Sequence, residues 1–337
     1  MKVVKITGTR ECEIVDRPLP SVRDNYCLIR VLASPMCTEF YGYRDGVVNE
    51  TIGHEAAGEV VEVSRQGRIK VGDRVVVMPQ DPCGTCALCL AGDYIHCTAP
   101  RDPKAVNNCE TGRATYAEYV IQQDWMLLPV PGEISIDHAS MACCGLGPSF
   151  NAIHTMNVSA IDTVLVSGLG PVGMGAVINA RVRGARVIGL DTNPWRADLA
   201  RALGAESVVD PTDPEAYTRI LELTDGRGVD KSVEASSAQT APAFLVKATR
   251  SRGEVTTVGW GGPVNAADLT AKGITYRGAW HWNHLRYARE MMETIRLAGP
   301  LLDLFITHRF PLSDVQKAWE LQLTGKCGKV ILQPGSN

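Results

Sequence analysis

Cys83, Cys86, Cys89 and Cys97 stand in a C-x2-C-x2-C-x7-C array. Four thiolates this close together can close a tetrahedron around one Zn2+ and leave no open position, so the chemistry they offer is structural. Pro82, Gly84 and Gly92 supply the turns that let short spacers converge on one ion. His96 lies beside Cys97, but with four thiols at hand it is read as a bystander. A second array, Gly168-Leu169-Gly170-Pro171-Val172-Gly173, fits G-x-G-x-x-G, a weak signal alone in a chain with 32 glycines. Its context strengthens it, because the glycines follow the apolar run Thr163–Ser167 and open a helical stretch. Backbone amides at such a helix start can face a pyrophosphate, with Gly168 making the turn, Gly170 admitting the phosphates and Gly173 packing helix on sheet. Pro171 and Val172 complete the motif at the helix start. Asp191 ends the next strand about twenty residues further on, where a carboxylate accepts both ribose hydroxyls and repels a 2′-phosphate. NAD is therefore expected over NADP, although Arg196, a few residues later, pulls the other way.

Two kinds of chain must position these arrays. From Lys2 to about Asp137 short β-like runs are cut by Gly and Pro: Cys27–Ala33, Gly58–Val63, Arg74–Met78 and Tyr116–Ile121. After Cys144 the texture changes to alternating strands and helices, which predicts a parallel sheet wound by right-handed crossovers. The tail, with a strand at Thr307–Phe310, a helix over Leu312–Thr324 and a strand at Lys329–Leu332, does not continue that alternation and is expected to return to the first domain. The expected division is 1–145, with the cysteine lobe at about 80–100, then 146–288, then 289–337. The chain has 337 residues, 45% of them hydrophobic and 21% charged, with a net charge of -3, enough for about two domains. Nucleic acid and anionic membrane are poor partners without clustered Lys and Arg, and no apolar run is long enough to cross a bilayer. Eleven cysteines, an odd number with a metal-type cluster and no secretory start, point to a reducing cytoplasm.

Together with Cys37-Thr38-Glu39, Gly53-His54-Glu55-Ala56-Ala57-Gly58, Val71-Gly72-Asp73-Arg74-Val75, Tyr116-Ala117-Glu118-Tyr119-Val120 and Thr307-His308-Arg309-Phe310-Pro311-Leu312, these arrays give the chain a resemblance. Over essentially its whole length it resembles the zinc-dependent medium-chain dehydrogenases, the alcohol, sorbitol and threonine dehydrogenase group. The resemblance implies an α/β protein: a mostly β, GroES-like catalytic domain and a Rossmann domain binding NAD. It also implies a second zinc, catalytic, held by a Cys, a His and a third Cys or acid with the fourth position open, the Cys2His set being the established one for alcohol dehydrogenases. On this chain those positions are Cys37, His54 and Cys144, with Cys143 as the alternative third ligand. Glu55 would be a carboxylate behind the metal, or a transient ligand. A homodimer or homotetramer acting on a small alcohol or ketone is expected.

One departure bears on mechanism. The family usually carries Cys-x-Ser/Thr, whose hydroxyl begins a proton relay, whereas here Thr38 follows Cys37 directly and Glu39 takes the usual place. Thr38 is the candidate hydroxyl, with Tyr41 and Tyr43 as possible next members. The run Trp280-His281-Trp282-Asn283-His284 could stack on a ring, which, with Glu39, Glu55 and Asn151, favours a polyol, cyclitol or sugar-derived alcohol. A simple alcohol or a threonine-type amino alcohol is the alternative. A zinc-free reductase of the same fold, and a non-catalytic NAD-binding protein on the same scaffold, are the rival readings. About two zinc ions per chain would separate the dehydrogenase from the first, and oxidation of some alcohol from the second.

Overall fold

The computed structural model describes residues 1–335. The chain divides into two compact units. One holds Met1–Cys144, Asn283–Arg296 and the chain from Ile306 on; the other holds Gly145–Trp282 and Leu297–Phe305. The third segment, expected to begin at 289, thus begins at Asn283, and nine residues of it, Leu297–Phe305, belong to the second unit.

In the first unit a mixed sheet runs in the order Ile306–Pro311, Lys329–Gln333, Tyr26–Pro35, Ala56–Val63, Arg74–Val77, Leu127–Pro129, with Tyr119–Gln123 also paired on Tyr26–Pro35. Alternation of apolar residues sends Ile29, Val31, Val60, Val75 and Val77 into one core. The C-terminal strand Lys329–Gln333 pairs antiparallel with the end of Tyr26–Pro35, through Ile331 opposite Pro35 and Leu332 opposite Ser34. Met36 N–H donates to Val330 carbonyl at 2.8 Å. This edge therefore brings the last strand against the segment that carries Cys37. The expected strand Tyr116–Ile121 begins only at Tyr119. Ahead of it Tyr116 carbonyl accepts from Val4 N–H and Ala117 bridges to Val3, so those residues are claimed by the N-terminal hairpin instead.

In the second unit six strands, all parallel, stand in the order Ser207–Val209, Arg186–Leu190, Thr163–Ser167, Val229–Glu234, Thr249–Thr257, Thr275–Gly278. Numbered by sequence this is 3-2-1-4-5-6, the doubly wound dinucleotide-binding order, whose direction reverses beside Thr163–Ser167. Leu165, Ile188, Val229 and Val255 are fully buried, as expected of strands covered on both faces.

The aromatic run after the last parallel strand is not an open stacking platform. In the second unit Trp282 is buried edge-to-face against Phe150 at 5.6 Å, His281 is buried with its carbonyl accepting from Asn151 Nδ2, and Trp280 meets Trp260. In the first unit Asn283 Nδ2 donates to Ala91 carbonyl at 2.7 Å, and His284 lies between Tyr94 and Trp125. Asn283 and His284 thus brace the cysteine lobe. His284 Nε2 lies 3.0 Å from Trp125 carbonyl, which requires the neutral ring to carry its proton on Nε2.

Burial holds His284 down to about 4 from the usual 6.5, partly opposed by the Trp125 carbonyl. The unfolded chain takes up that proton at the ordinary value while the folded protein resists it. Stability from His284 is therefore complete above about 6.5 and drains as pH falls towards 4, by roughly 3 kcal/mol in all. The drop in melting temperature from neutral pH to about pH 5 should be smaller in His284→Gln than in the parent; equal drops would rule this histidine out as a source of acid sensitivity.

Candidate active site and metal centres

Two clusters of metal-binding side chains exist among the described residues. In the lobe, Cys86 Sγ lies 3.5 Å from Cys89 Sγ and 4.0 Å from Cys97 Sγ, and Cys83 Sγ lies 3.9 Å from Cys89 Sγ. Sulfurs about 2.3 Å from a zinc ion lie about 3.8 Å apart in a tetrahedron, so the four thiols match that ion. All are free thiols. Thr85 and Cys86 N–H groups donate to Cys83 Sγ, and Cys83 and Ala99 N–H groups to Cys97 Sγ. Led by the Thr85 amide, these bonds bring Cys83 down to about 5, towards the thiolate that a metal needs. His96 is not in the cluster.

The second cluster is built from segments far apart in sequence. Cys37, His54, Glu55 and Cys144 each bring a ligand atom to within 4.8 Å of the others. His54 Nε2 is 3.2 Å from Cys144 Sγ. Cys143, the alternative ligand, instead turns its fully buried thiol to Val77 carbonyl at 3.4 Å. Cys37 is held well below the ordinary thiol range, first by the hydrogen bond from Cys144, then against burial by Lys329 and His54; Cys144, as the donor, is raised. Two thiols and an imidazole, borderline-soft donors converging on one point, suit zinc.

Three features of this cluster are tertiary. Glu39, at the first turn of the helix Glu39–Asp45, places Oε1 2.6 Å from His54 Nδ1. Its Oε2 accepts from Cys37 N–H at 2.9 Å and from Tyr116 hydroxyl at 3.1 Å. Burial pushes Glu39 up, but His54 and these donors bring it down to about 2. The carboxylate therefore accepts a hydrogen bond from Nδ1–H, which keeps the proton on that nitrogen and leaves the Nε2 lone pair for a metal, the usual orienting arrangement for a ligating histidine. Glu39 orients a ligand and does not open a relay. Glu55 is fully buried; Oε2 accepts from Cys144 N–H at 3.0 Å and Oε1 from Lys329 Nζ at 2.7 Å. Burial raises Glu55 to about 7 against the pull of Lys329. Burial lowers Lys329, yet Glu55 and the two thiols outweigh it and leave the ammonium raised. With both oxygens engaged, Glu55 stands behind the cluster as a clamped carboxylate.

Lys329 and the roles of Glu39 and Tyr116 are the functional features that reading the sequence missed. A lysine opening the otherwise apolar run Val330-Ile331-Leu332 was the available signal for the first. Thr38 precedes the helix with its side chain exposed and capping nothing, on the wall of a cavity it shares with Glu39 and His54. Tyr41 is exposed. Tyr43 is not a relay member: its ring is fully buried on Trp319 and its hydroxyl donates to Glu320 at 2.7 Å.

In the second unit Gly168 has φ +83°, and a Cβ there would stand 2.5 Å from Ser236 Cα, so only glycine makes this turn. A Cβ on Gly173 would meet Gly168 carbonyl at 1.7 Å, the close approach between helix and strand. At Gly170, by contrast, a Cβ would meet nothing within 4 Å, which leaves open space before the helix Pro171–Val182 where a pyrophosphate fits. Asp191 Oδ2 accepts from Leu169 N–H at 2.6 Å and Oδ1 from Asn193 N–H at 2.8 Å. The carboxylate is thereby fixed at the edge of the glycine turn. Arg196 makes no ion pair with it among the described residues, and its Nε is buried without a partner.

A zinc-ligating cluster beside a polar cavity, on a chain with a separate dinucleotide-binding sheet, defines a zinc-dependent alcohol dehydrogenase. Residues 23–132 match the alcohol dehydrogenase GroES-like domain and residues 171–297 the zinc-binding dehydrogenase family. L-threonine 3-dehydrogenase of Symbiobacterium thermophilum is 31% identical over 94% of this chain and 93% of its own length. Sorbitol dehydrogenase of Bacillus subtilis is 29% identical over 99% and 97%. A crystal structure of an NAD-dependent alcohol dehydrogenase superposes with a TM-score of 0.82 at 25% identity, covering 99% and 100% of the two chains. The chain belongs to the zinc-type medium-chain alcohol dehydrogenase family, an NAD-dependent oxidoreductase family that uses zinc.

Glu39→Gln should weaken zinc retention at the catalytic cluster roughly 10- to 100-fold, because His54 loses the anchor of its ring. Competition with a chelator should show one of two zinc ions per chain leaving early; unchanged release of both would mean that the carboxylate does not orient this ligand.

Proposed function

We propose that the enzyme transfers a hydride between NAD and a polar secondary alcohol of the polyol, sugar-derived or amino-alcohol kind, at a zinc held by Cys37, His54 and Cys144. The observation that carries this is the clamping of Glu55: its oxygens are spent on Lys329 and Cys144 N–H, so two thiols and one imidazole remain as ligands and a fourth position is left to substrate. Polar side chains on the cavity beside His54 support a hydrophilic substrate. The burial of Trp282 and His281 removes the ring-stacking support for a cyclitol in particular.

Zinc, when bound, supplies Lewis acidity that draws a substrate hydroxyl from about 16 towards neutrality. NAD, when bound, supplies the acceptor for the hydride. The protein's own groups do the rest. Cys37 and Cys144 hold the metal as thiolates, and His54, fixed by Glu39, holds it through Nε2. Thr38 hydroxyl, exposed on the same cavity, takes the proton leaving the substrate and passes its own outward. Gly168, Gly170, Pro171, Val172 and Gly173 seat the pyrophosphate at the helix start, and Asp191 reads the adenosine ribose with Arg196 beside it.

Cys37→Ala should abolish NAD-linked alcohol oxidation while leaving NAD binding intact; a folded Cys37→Ala protein with full turnover ends this mechanism. For the cofactor, Asp191→Gly should move the ratio of kcat/KM values from NAD towards NADP, and an unmoved ratio would show that this carboxylate does not discriminate at the ribose.

A further inference from the structure

The cavity beside His54, of about 470 Å³, lies wholly within the first unit and carries two cations that the mechanism above does not use, Arg113 and Lys104. Arg113 is the unusual one. Its side chain is only 8% exposed, and among the described residues it is held by a single hydrogen bond, Nε to Asp81 Oδ2 at 3.1 Å. Its Nη1 is buried without a partner, and so is Asp81 Oδ1. A guanidinium presents a rigid fork, and a buried one normally spends it on a bidentate carboxylate, since an unmatched buried donor costs free energy. Here the fork is left unspent although a carboxylate is adjacent. Arg113 shares the cavity wall with His54, and the backbone ties the two segments together: two and three residues after Arg113, Thr115 and Tyr116 N–H groups donate to Ile52 carbonyl, two residues before His54. Lys104 runs beside it, its Cε 3.2 Å from where a Cβ on Gly112 would stand. Lys104 Nζ forms no ion pair or hydrogen bond among the described residues.

Taking the cluster as the alcohol-oxidising centre described above, we propose that Arg113 and Lys104 form an anion subsite in this cavity and that the substrate is a secondary alcohol carrying a carboxylate. Charge decides between anions. Glu39, Asp81 and Asp102 also line the cavity, so a phosphate dianion would meet three carboxylates, whereas a single carboxylate matches one guanidinium fork with Lys104 as its outer partner. The unmatched acceptor, Asp81 Oδ1, suits a second donor on the same ligand, such as an ammonium or a further hydroxyl beside the one that is oxidised.

The test compares zinc-loaded enzyme on 3-hydroxybutyrate and on its methyl ester, following NADH. The parent should favour the acid in kcat/KM. Arg113→Gln should lose roughly 10- to 150-fold more on the acid than on the ester, chiefly through KM. Lys104→Gln, at an exposed side chain, should reduce the same ratio by several-fold, and it keeps the idea testable if Arg113→Gln fails to fold. As a reading without turnover, 3-hydroxy-3-methylbutyrate, a tertiary alcohol that cannot be oxidised, should raise the melting temperature of the parent with NAD present and not that of Arg113→Gln. Equal use of acid and ester by the parent, an equal loss on both in Arg113→Gln, or no thermal shift would overturn the subsite and leave Arg113 as a brace of the cavity wall. Failure of every alcohol in the pair and in a polyol set to yield NADH would instead overturn the proposed function, while the thermal shift would still report on the subsite by itself.

Discussion

A carboxylate shut away from water needs a partner, and Glu55 has two, the ammonium of Lys329 and the amide of Cys144. An ionised pair with no exposure is tolerable only when its geometry is good and its remaining valences are met, because desolvation of each charge is worth several kcal/mol. Meeting that condition fixes much of the first unit. The C-terminal strand must lie on the sheet edge to deliver Lys329, and the turn before Gly145 must bring Cys144 amide and thiol to the same place. The carboxylate that stands behind the metal cluster thus also ties its most distant ligand to the end of the chain.

The same logic of local charge satisfied at a distance recurs around His54. One face of its ring is committed to Glu39, whose second oxygen also holds Cys37 N–H and the Tyr116 hydroxyl. Two ligands and a buried core tyrosine therefore share one anchor. Behind them the helix Glu39–Asp45 is pinned by Tyr43, stacked on Trp319 and bonded to Glu320, so the helix that carries Glu39 is held by the C-terminal helix Val315–Leu323. Positioning of this kind is what lets side chains act on a substrate without reorganising.

The cofactor side works by the opposite means, through absence of side chain. Gly168 turns where only a positive φ will do, Gly173 lets the helix touch the strand, and Gly170 leaves room in front of the helix start. Its requirements are short-range, and a short motif contains them.

Much is therefore legible in the sequence. The four-cysteine lobe, the glycine turn with Asp191 and the apolar run Thr163–Ser167 that leads into it depend on spacing and periodicity over a few residues, and these determine local structure directly. Cys37, His54 and Cys144 could be named only through family resemblance, since nothing local says that they meet. Tertiary structure alone decided that Cys144 and not Cys143 faces the cluster, that Glu39 orients His54, that Lys329 partners Glu55, and that the aromatic run is divided between two cores. The physical reason is common to all four: each depends on where a side chain stands after segments distant in sequence have packed together, and for Lys329 a shift of one residue along its strand would reverse the direction of its side chain.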